Sequence, residues 1–317
     1  MNLIYKNQSD INENDLLNCL KLWNQEMGLI YPISEKAFFQ NVINYVDKDV
    51  LVALNEEEVI GFIILKRFDD DKFVDYKTKL FISLFYVSKR YRKQGIGSMF
   101  FDFAEKIGSD RDLIIGKDIY NFFPGVPTDF DNLTDVWLEK RGFSGKRYTH
   151  DLVSFNPKER DIKNKDVKYI FCDETKKDAL IEFLLQNNWK RWALEVEEYF
   201  QNKAKEDEDA YIIGLLNDQI ISFVRINTYK MNMVSYNVMW QERFDKLGGI
   251  GPLGVSSTFR KSGLGNDIIS VAIKSLKDRK IKNMIIDWTG LMELYSKYNF
   301  EVWKSYKYME KINLKEN

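Results

Sequence analysis

The chain has 317 residues, of which 44% are hydrophobic and 30% are charged, and its net charge is −1. This length is typical of about two globular domains, and the charge balance excludes a protein whose main partner is a nucleic-acid backbone, which requires a basic surface. Two cysteines and a single histidine are too few for a disulfide framework, a cysteine-rich zinc site or a multi-histidine metal site. We therefore predict no metal centre, no nucleic-acid partner and a reducing, cytoplasmic location.

The sequence also lacks membrane signals. The first ten residues turn polar too early for a signal peptide. No apolar run approaches the roughly 18 residues that a spanning helix needs. We expect no membrane partner, and a monomer or a homodimer.

The chain alternates short apolar runs, which predict strands, with segments of helical apolar spacing. A polar stretch around Pro157, residues 156–166, separates two halves, and the same order of elements begins again after it. In the first half, strands are predicted at 3–5, 50–54, 59–65, 80–87 and 113–116, and helices at 12–27, 34–46, 95–107 and just before Arg141. In the second half, strands are predicted at 167–171, 210–215, 219–227, 248–255 and 282–287, and helices at 178–188, 194–204, 263–276 and 291–298. We therefore predict two domains, residues 1–157 and 165–317.

An internal repeat is the strongest organisational feature of the sequence. The segment Arg92-Lys93-Gln94-Gly95-Ile96-Gly97 matches Arg260-Lys261-Ser262-Gly263-Leu264-Gly265, 168 residues further on. In both copies a valine stands five residues before the arginine, at Val87 and Val255. The two halves therefore look like two copies of one fold.

A strand followed by Arg-x-x-Gly-x-Gly and a helix is suited to binding an anion. The glycines permit a tight turn and close backbone approach, and successive N–H groups at a helix N-terminus point towards a common ligand. The pattern fails the dinucleotide fingerprint, because Phe100 and Ile268 stand where its third glycine belongs, and it lacks the Gly-Lys-Ser/Thr of a P-loop. The expected ligand is a phosphate or pyrophosphate. The alternative, a glycine-capped turn without a ligand, is disfavoured by the two copies.

Both halves resemble the GNAT superfamily of N-acetyltransferases, whose hallmark is Gln/Arg-x-x-Gly-x-Gly/Ala after the fourth strand. The family's closing Tyr-x-Lys-x-Gly-Phe resembles Tyr295-Ser296-Lys297-Tyr298-Asn299-Phe300, with Asn299 in the glycine place. In the first half, Leu138-Glu139-Lys140-Arg141-Gly142-Phe143 stands there, with Leu138 in the tyrosine place. The resemblance covers nearly the whole chain. It implies an α/β fold of two tandem GNAT-like domains, each a mixed, mostly antiparallel twisted sheet flanked by helices, with a splayed central strand.

The resemblance implies acetyl-CoA (coenzyme A) as the cofactor. In the family, the loop amides hold its pyrophosphate, and the strand before the loop hydrogen-bonds its pantetheine arm. The implied binding residues of the first half are Phe85, Tyr86, Val87, Arg92, Lys93, Gln94, Gly95, Ile96, Gly97 and Ser98. Those of the second half are Leu253, Gly254, Val255, Arg260, Lys261, Ser262, Gly263, Leu264, Gly265 and Asn266.

The chemistry of acetyl transfer points to the second half. The departing thiolate needs a proton, and in the family a tyrosine on the last helix commonly supplies it. Tyr295 matches that tyrosine, whereas Leu138 cannot donate a proton. Asp287 ends a predicted strand and is suited to orient or deprotonate the amine. The alternatives are a packing role for Tyr295 and a helix-capping role for Asp287, with Glu242 and Asp245 as weaker candidates for the base.

Two other segments indicate where the acceptor binds. Residues 248–255 include four glycines and Pro252, which indicates either a splayed strand with room for the acetyl group and the acceptor, or an irregular edge. In the first half, residues 122–127 either wall an acceptor site or cover the core. Three roles stay open for that half: CoA binding without catalysis, a scaffold, or catalysis with a different acid.

We predict an N-acetyltransferase that transfers an acetyl group from acetyl-CoA to a primary amine of a small-molecule or peptide acceptor by direct attack. The domain of residues 165–317 is the expected catalytic one. The alternative is a CoA-binding or sensing protein without turnover, built from degenerate acetyltransferase domains. A third reading, an interaction scaffold, predicts no CoA binding at all.

Overall fold

The computed structural model describes residues 3–7, 9–45, 47–130 and 133–313. By internal contacts the chain divides into two compact units. Unit 1 comprises Met1–Thr149 and Lys304–Asn317, and unit 2 comprises His150–Trp303. The predicted limits, 1–157 and 165–317, begin and end outside the described residues, and we keep them as a proposal for how the two sequence repeats divide the chain.

Unit 1 is built on a mixed sheet. In spatial order its strands are β1 (Leu3–Asn7), β2 (Lys48–Asn55), β3 (Glu58–Lys66), β4 (Lys79–Val87), β5 (Asp112–Ile115) and β14 (Glu310–Lys311). Neighbours pair antiparallel except β4 and β5, which run parallel. A short strand β6 (Val126–Pro127) pairs with Tyr306 and Lys307 of β13 (Glu301–Lys307). The C-terminal segment thus adds strands to the unit that contains the N-terminus.

The helices of unit 1 pack apolar faces against this sheet. Helix α1 begins at a capping box in which the Asn12 and Asp15 side chains each accept a backbone N–H of the other residue. Helix α3 buries Phe100, Phe101 and Ala104 in a core shared with the central strands. The bounds are α1 (Glu13–Met27), α2 (Glu35–Phe38), α3 (Ile96–Ile107) and α4 (Thr134–Lys140).

The helix predicted at 34–46 differs in the structure. Ser34 caps α2 by accepting the N–H of Ala37, but α2 is then replaced by a π-helical segment, Phe39–Ile43. The wider turn is visible in the bond from the N–H of Asn44 to the carbonyl of Phe39, five residues back. The predicted last residue, Val46, lies outside the described residues.

Unit 2 repeats the architecture of unit 1. In spatial order its strands are β8 (Lys168–Phe171), β9 (Tyr211–Leu216), β10 (Gln219–Thr228), β11 (Leu247–Val255), β12 (Asn283–Thr289) and β7 (Tyr148–Ser154), of which His150–Ser154 belong to this unit. Only β11 and β12 among these pair in parallel. Its helices are α5 (Lys177–Gln186), α6 (Lys190–Asn202), α7 (Leu264–Asp278) and α8 (Met292–Ser296). In the described parts of both units, no helix combines the length and apolar character needed to cross a membrane.

Strand β7 comes from the first sequence repeat but pairs within unit 2. Leu152, Val153 and Ser154 lie opposite Ile286, Ile285 and Met284 of β12. The side chains of Leu152 and Val153 are buried, so the strand belongs to the core of that unit. The boundary between the two compact units therefore lies at a different place from the boundary between the two sequence repeats.

In both units the parallel strand pair separates before its longer strand ends. The last paired residues are Ile82 with Ile115 in unit 1, and Ile250 with Ile286 in unit 2. Strand β4 then continues for five residues to Val87, and β11 for five residues to Val255. The expected α/β fold of two mixed sheets, each with a splayed central strand, is confirmed.

Candidate active site

The two glycine loops follow the same backbone path. Lys93 and Lys261 have φ values of 61° and 64°, and Gly95 and Gly263 have values of 85° and 93°. Each glycine is the residue immediately before the helix, α3 or α7. The left-handed φ of these glycines is a conformation in which a side chain is strained. The sequence repeat is therefore also a repeat of geometry.

Both loops leave open space at the start of the helix. A Cβ built on Gly95 or Gly265 would meet no other atom within 4 Å, and the nearest neighbour of one on Gly97 is the Trp137 ring at 3.8 Å. A helix N-terminus carries partial positive charge and N–H donors. The N–H groups at the start of each helix and the open space beside them are therefore suited to an anion such as a pyrophosphate.

A cavity of about 500 Å³ in unit 1 joins the splayed strand to its glycine loop. Most of the residues expected to bind the cofactor line it, and Gln94 and Ile96 do not. The Gln94 side chain donates to the carbonyl of Arg90, and Ile96 is buried in the core. The expected residues that line the cavity are Phe85, Tyr86, Val87, Arg92, Lys93, Gly95, Gly97 and Ser98.

Residues 122–127 divide between the wall of this cavity and the core. Phe123, Gly125, Val126 and Pro127 line the cavity. Phe122 is fully buried and stacks with Phe38, so one end of the segment covers the core. The aromatic wall continues with Trp23, whose ring centroid lies 5.6 Å from that of Phe123.

Glu26, at the end of α1, ties that helix to the start of the unit 1 loop. Its carboxylate accepts hydrogen bonds from Tyr86 Oη at 3.1 Å, Ser88 Oγ at 2.6 Å and the N–H of Lys89 at 3.0 Å. Burial raises the pKa of Glu26, but these donors outweigh burial and the net pKa lies below its usual value. The ionised carboxylate therefore holds the chain just before the loop. Sequence reasoning missed this residue, which lies far from the motif in the chain.

Unit 1 lacks both of the acid–base groups expected in unit 2. Leu138 occupies the place of Tyr295: the N–H of Phe143 bonds the Leu138 carbonyl at 3.1 Å, and the N–H of Phe300 bonds the Tyr295 carbonyl at 3.2 Å. Leu138 is fully buried in the core. In strand register, Gly116 directly follows the last paired residue of β5, as Asp287 does on β12.

Asp287 lies where β11 and β12 separate in unit 2. Its Oδ1 accepts a hydrogen bond from Asn237 Nδ2 at 3.1 Å, and the same amide donates to the carbonyl of Gly251 at 3.2 Å. Helix α8 begins after Leu291, whose N–H is accepted by Thr289 Oγ1. The Asp287 side chain thus bonds Asn237, and α8 begins after Leu291 without a side-chain cap.

The ionisation of Asp287 is strongly perturbed. Burial, followed by the charge of the nearby Asp151 carboxylate, raises the pKa of its carboxyl from 3.8 to about 7. The hydrogen bond from Asn237 acts in the opposite direction. A carboxyl that titrates near neutral pH is matched to general-base catalysis.

Tyr295 is only 4% exposed and packs in the unit 2 core, with its ring 6.4 Å from that of Phe300. Burial, followed by the charge of Asp287, raises the pKa of its hydroxyl. The hydroxyl therefore keeps its proton at neutral pH, as a proton donor must. The packing role foreseen as an alternative is present in the same side chain.

The glycines of β11 make room for protein side chains. A Cβ on Gly249 would lie 2.0 Å from Asn237 Oδ1, and one on Gly254 would lie 2.5 Å from the Trp189 ring. Leu253, Gly254 and Val255, which are expected to contact the cofactor, pair with β10 along one edge of the strand. The strand is splayed, as expected, and its glycines admit Asn237 and Trp189.

The segment predicted as a linker lies against the unit 2 loop. The carboxylate of Asp267, in the first turn of α7, accepts the N–H groups of Lys163 and Asn164 at 3.0 and 2.9 Å. Asn164 Nδ2 also donates to the Ser262 carbonyl at 3.3 Å. The two weaker candidates for the base, Glu242 and Asp245, have exposed side chains.

Comparisons with known proteins agree with this geometry. Residues 16–117 match the acetyltransferase (GNAT) family. Among curated proteins, no match was found. The solved structures that are similar share 20% sequence identity or less over the whole chain, so they speak for the fold.

Three of these structures cover nearly the whole chain. A GCN5-related glucosamine N-acetyltransferase region of a fungal multi-domain GH3 beta-N-acetylglucosaminidase has a TM-score of 0.86 at 20% identity, covering 98% of this chain and 38% of that protein. A GCN5-related N-acetyltransferase from Sphaerobacter thermophilus has a TM-score of 0.70 at 13% identity, covering 98% and 95%. A tandem GNAT protein from the clavulanic acid biosynthesis pathway has a TM-score of 0.70 at 10% identity, covering 100% of both chains. The chain thus spans well under half of the fungal protein.

The paired loops, the two splayed strands and these fold matches define two copies of one fold. The sequence match to the family lies in unit 1, and unit 2 shares its loop geometry and sheet order. Residues 16–117 are thus similar in sequence to the acetyltransferase (GNAT) family, and the chain as a whole has the fold of the tandem GNAT protein.

Proposed function

We propose that unit 2 transfers an acetyl group from acetyl-CoA to the nitrogen of a primary amine by direct attack. One observation supports this most. Asp287, whose carboxyl has a pKa of about 7, and Tyr295, whose hydroxyl stays protonated, both belong to the unit in which a splayed strand leads to a glycine loop. Unit 1 has the strand and the loop without the two side chains. We therefore assign catalysis to unit 2.

Each side chain has a defined task in this proposal. Bound acetyl-CoA supplies an activated acetyl thioester. The loop amides of Arg260 to Asn266 would hold its pyrophosphate, and the free edge of Leu253 to Val255 would bond its pantetheine arm. Asp287 takes a proton from the acceptor ammonium, directly or through water, which makes the nitrogen nucleophilic. As the N–C bond forms and the C–S bond breaks, the Tyr295 hydroxyl would donate its proton to the departing sulfur and regain one, through solvent, from the acylated nitrogen.

We propose that unit 1 binds the same cofactor without catalysing transfer. Its cavity, loop geometry and open helix end are suited to acetyl-CoA, while Leu138 and Gly116 offer neither acid nor base. The cavity residues Phe85, Tyr86 and Val87, and the loop of Arg92 to Ser98, would make the contacts. The chain would then hold two cofactor molecules and one working site.

The acceptor is proposed as a small-molecule or peptide amine. The fungal structure of highest TM-score among the three is described as a glucosamine N-acetyltransferase region. That description makes an amino sugar the first acceptor to test, ahead of polyamines and peptide N-termini. The likeness is one of fold, so the acceptor is a matter for experiment.

The test combines binding with turnover. Calorimetry with acetyl-CoA measures cofactor binding, and release of free thiol against glucosamine, a polyamine and a short peptide measures transfer. Thiol release that requires one of the amines supports the proposal. Binding without release for any amine supports the alternative, a non-catalytic CoA-binding or sensing protein, and absence of binding contradicts both.

A further inference from the structure

Asp287 lies between two buried polar side chains that act on it in opposite ways. Asp151 and Asn237 are both at most 2% exposed. Asp151 is a second carboxyl near Asp287, and Asn237 donates a hydrogen bond to it. A like charge disfavours ionisation of a carboxyl, and a donated hydrogen bond favours it.

Asp151 is held in place as an acceptor. It lies on β7, and its Oδ1 accepts the N–H of Trp288 at 3.1 Å. Its Oδ2 accepts Tyr236 Oη at 3.0 Å and Trp240 Nε1 at 3.4 Å. Both oxygens of Asp151 are thus held by donors, and its charge raises the pKa of Asp287.

The orientation of the Asn237 amide is fixed by a chain of hydrogen bonds that starts at Arg225. A guanidinium can only donate, so Asn227 Oδ1, 2.9 Å from Arg225 Nε, accepts. Asn227 Nδ2 must then donate to Asn237 Oδ1, at 3.2 Å. Asn237 Nδ2 is left to donate to Asp287 and to the carbonyl of Gly251.

Other charged or titratable groups face Asp287 from helices α6 and α8. The charge of Glu195 also raises the pKa of Asp287, and Glu195 is paired with Arg191 at 3.0 Å. Arg191 lies over the Trp288 ring, 4.7 Å from its centroid. Tyr295, on α8, is neutral at ordinary pH because its pKa is raised. Asp151 and Asn237 both influence the pKa of Asp287 more strongly than Glu195 does.

We propose that Asp151 and Asn237 are positioning residues for the catalytic carboxylate: Asp151 favours its protonated form by like charge, and Asn237 favours its ionised form by donating a hydrogen bond. The base is thereby kept ready to gain and lose a proton near neutral pH. This inference rests on the proposed function of Asp287. It also makes the last strand of the first sequence repeat a part of the unit 2 site.

The test compares Asp151→Asn with Asn237→Ser and Asn237→Leu. In Asp151→Asn, the apparent pKa of Asp287 should fall by about one pH unit, because the like charge is gone. In Asn237→Leu it should rise by about as much, because the donor is gone, and in Asn237→Ser, which replaces the amide with a shorter hydroxyl donor, it should rise less. In the pH profile of kcat/KM, the acidic limb should move to lower pH in Asp151→Asn and to higher pH in the Asn237 variants. A merely structural role would lower the rate without moving the limb.

A second readout does not depend on turnover. Asp287 binds a proton in the folded chain up to about pH 7 and in the unfolded chain only up to about 3.8. Its contribution to the free energy of unfolding is therefore fully present below pH 3.8 and is lost as the pH rises to about 7. Subtracting the profile of Asp287→Asn from that of the wild type isolates this contribution. The same subtraction in each variant background gives the pKa of Asp287 there.

The outcomes separate the inference from the proposed function. If no amine is acetylated but the stability profiles move in opposite directions, the proposed function fails and the tuning of Asp287 stands. The inference is overturned if turnover is found while, in Asp151→Asn, the acidic limb of kcat/KM and the stability profile stay at the wild-type pH or move to higher pH. If both Asn237 variants unfold, the Asp151→Asn result decides alone.

Discussion

The two units have the same splayed strand and glycine loop, which form the cradle proposed for acetyl-CoA, but different side chains around it. Both have left-handed residues at matching loop positions and a parallel pair that ends five residues before the loop-bearing strand does. Where unit 2 has Asp287 and Tyr295, unit 1 has Gly116 and Leu138. The cradle is made by backbone and glycine, whereas the proposed chemistry depends on two side chains. The loop geometry is therefore retained in a copy that has neither side chain at the matching positions.

The interior beneath the two splayed strands also differs. In unit 1, Ser83 donates to the Asp118 carboxylate at 2.9 Å, and Asp118 forms a fully buried ion pair with Lys66 at 2.8 Å. Burial, the largest influence, lowers the pKa of Lys66. In unit 2, Gly251 follows the last paired residue of its strand, as Ser83 does in unit 1. There the space is used by Asn237 and Asp287.

The largest expected effect comes from placing a negative charge in each cradle. Gly97→Glu and Gly265→Glu are a matched pair, since neither position has an atom within 3.7 Å of a new Cβ. A carboxylate beside the pyrophosphate should weaken binding to that unit on the order of a hundredfold. Calorimetry should therefore show one of two acetyl-CoA sites lost in each variant, and Gly265→Glu should lose turnover at assay concentrations.

The double variant is the control for that comparison and should bind no acetyl-CoA. Circular dichroism should match the wild type for all three proteins. A single site in the wild type that only Gly97→Glu removes would reverse the assignment of the units.

The next largest effect is expected at Tyr295, the proposed proton donor. Tyr295→Phe removes only the hydroxyl and should lower kcat by about a hundredfold, the usual size of a general-acid contribution. Acetyl-CoA affinity should change little, because the proposed cofactor contacts lie on the strand and the loop. Steady-state kinetics and calorimetry measure the two quantities.

Tyr169→Phe is the matched control for Tyr295→Phe. Tyr169 is another partly buried tyrosine of unit 2, on β8, and its pKa is also raised by burial. Its loss should leave kcat unchanged. Equal losses in the two variants would mean that the Tyr295 hydroxyl acts through packing or stability.

Much of the fold was predictable because its signals are local. Apolar runs indicated the central strands, and the Gly-x-Gly loops indicated where α3 and α7 begin. The π-helical segment after α2 and the pairing of β7 with β12 were not predictable, because both depend on packing between segments distant in the chain. The short helix α8 ends at Ser296, two residues earlier than predicted.

For the site, the sequence pointed to Tyr295 by its motif position and to Asp287 by its place at a strand end, but it did not predict their surroundings. Asn237 lies in a short 3₁₀ segment without a recognisable pattern. Asp151 lies in the first sequence repeat, where no local reasoning connects it to the second. The glycines of β11 predict either space for a ligand or an irregular edge, and in the structure two of them make room for Asn237 and Trp189.

The smallest effect concerns stability and asks whether unit 1 can be given a base. Gly116 has a φ of 64°, and a Cβ there would lie 2.0 Å from the carbonyl oxygen of Phe123. Gly116→Asp should therefore destabilise the chain by about 3 kcal/mol, through strain and displaced backbone. Gly97→Ala is the control: its Cβ would meet its nearest atom at 3.8 Å, so it should be neutral or slightly stabilising. Urea unfolding measures both, and an unaffected Gly116→Asp would mean that the backbone at this strand end is free to adapt, as unit 1 would need in order to carry an Asp287-like group.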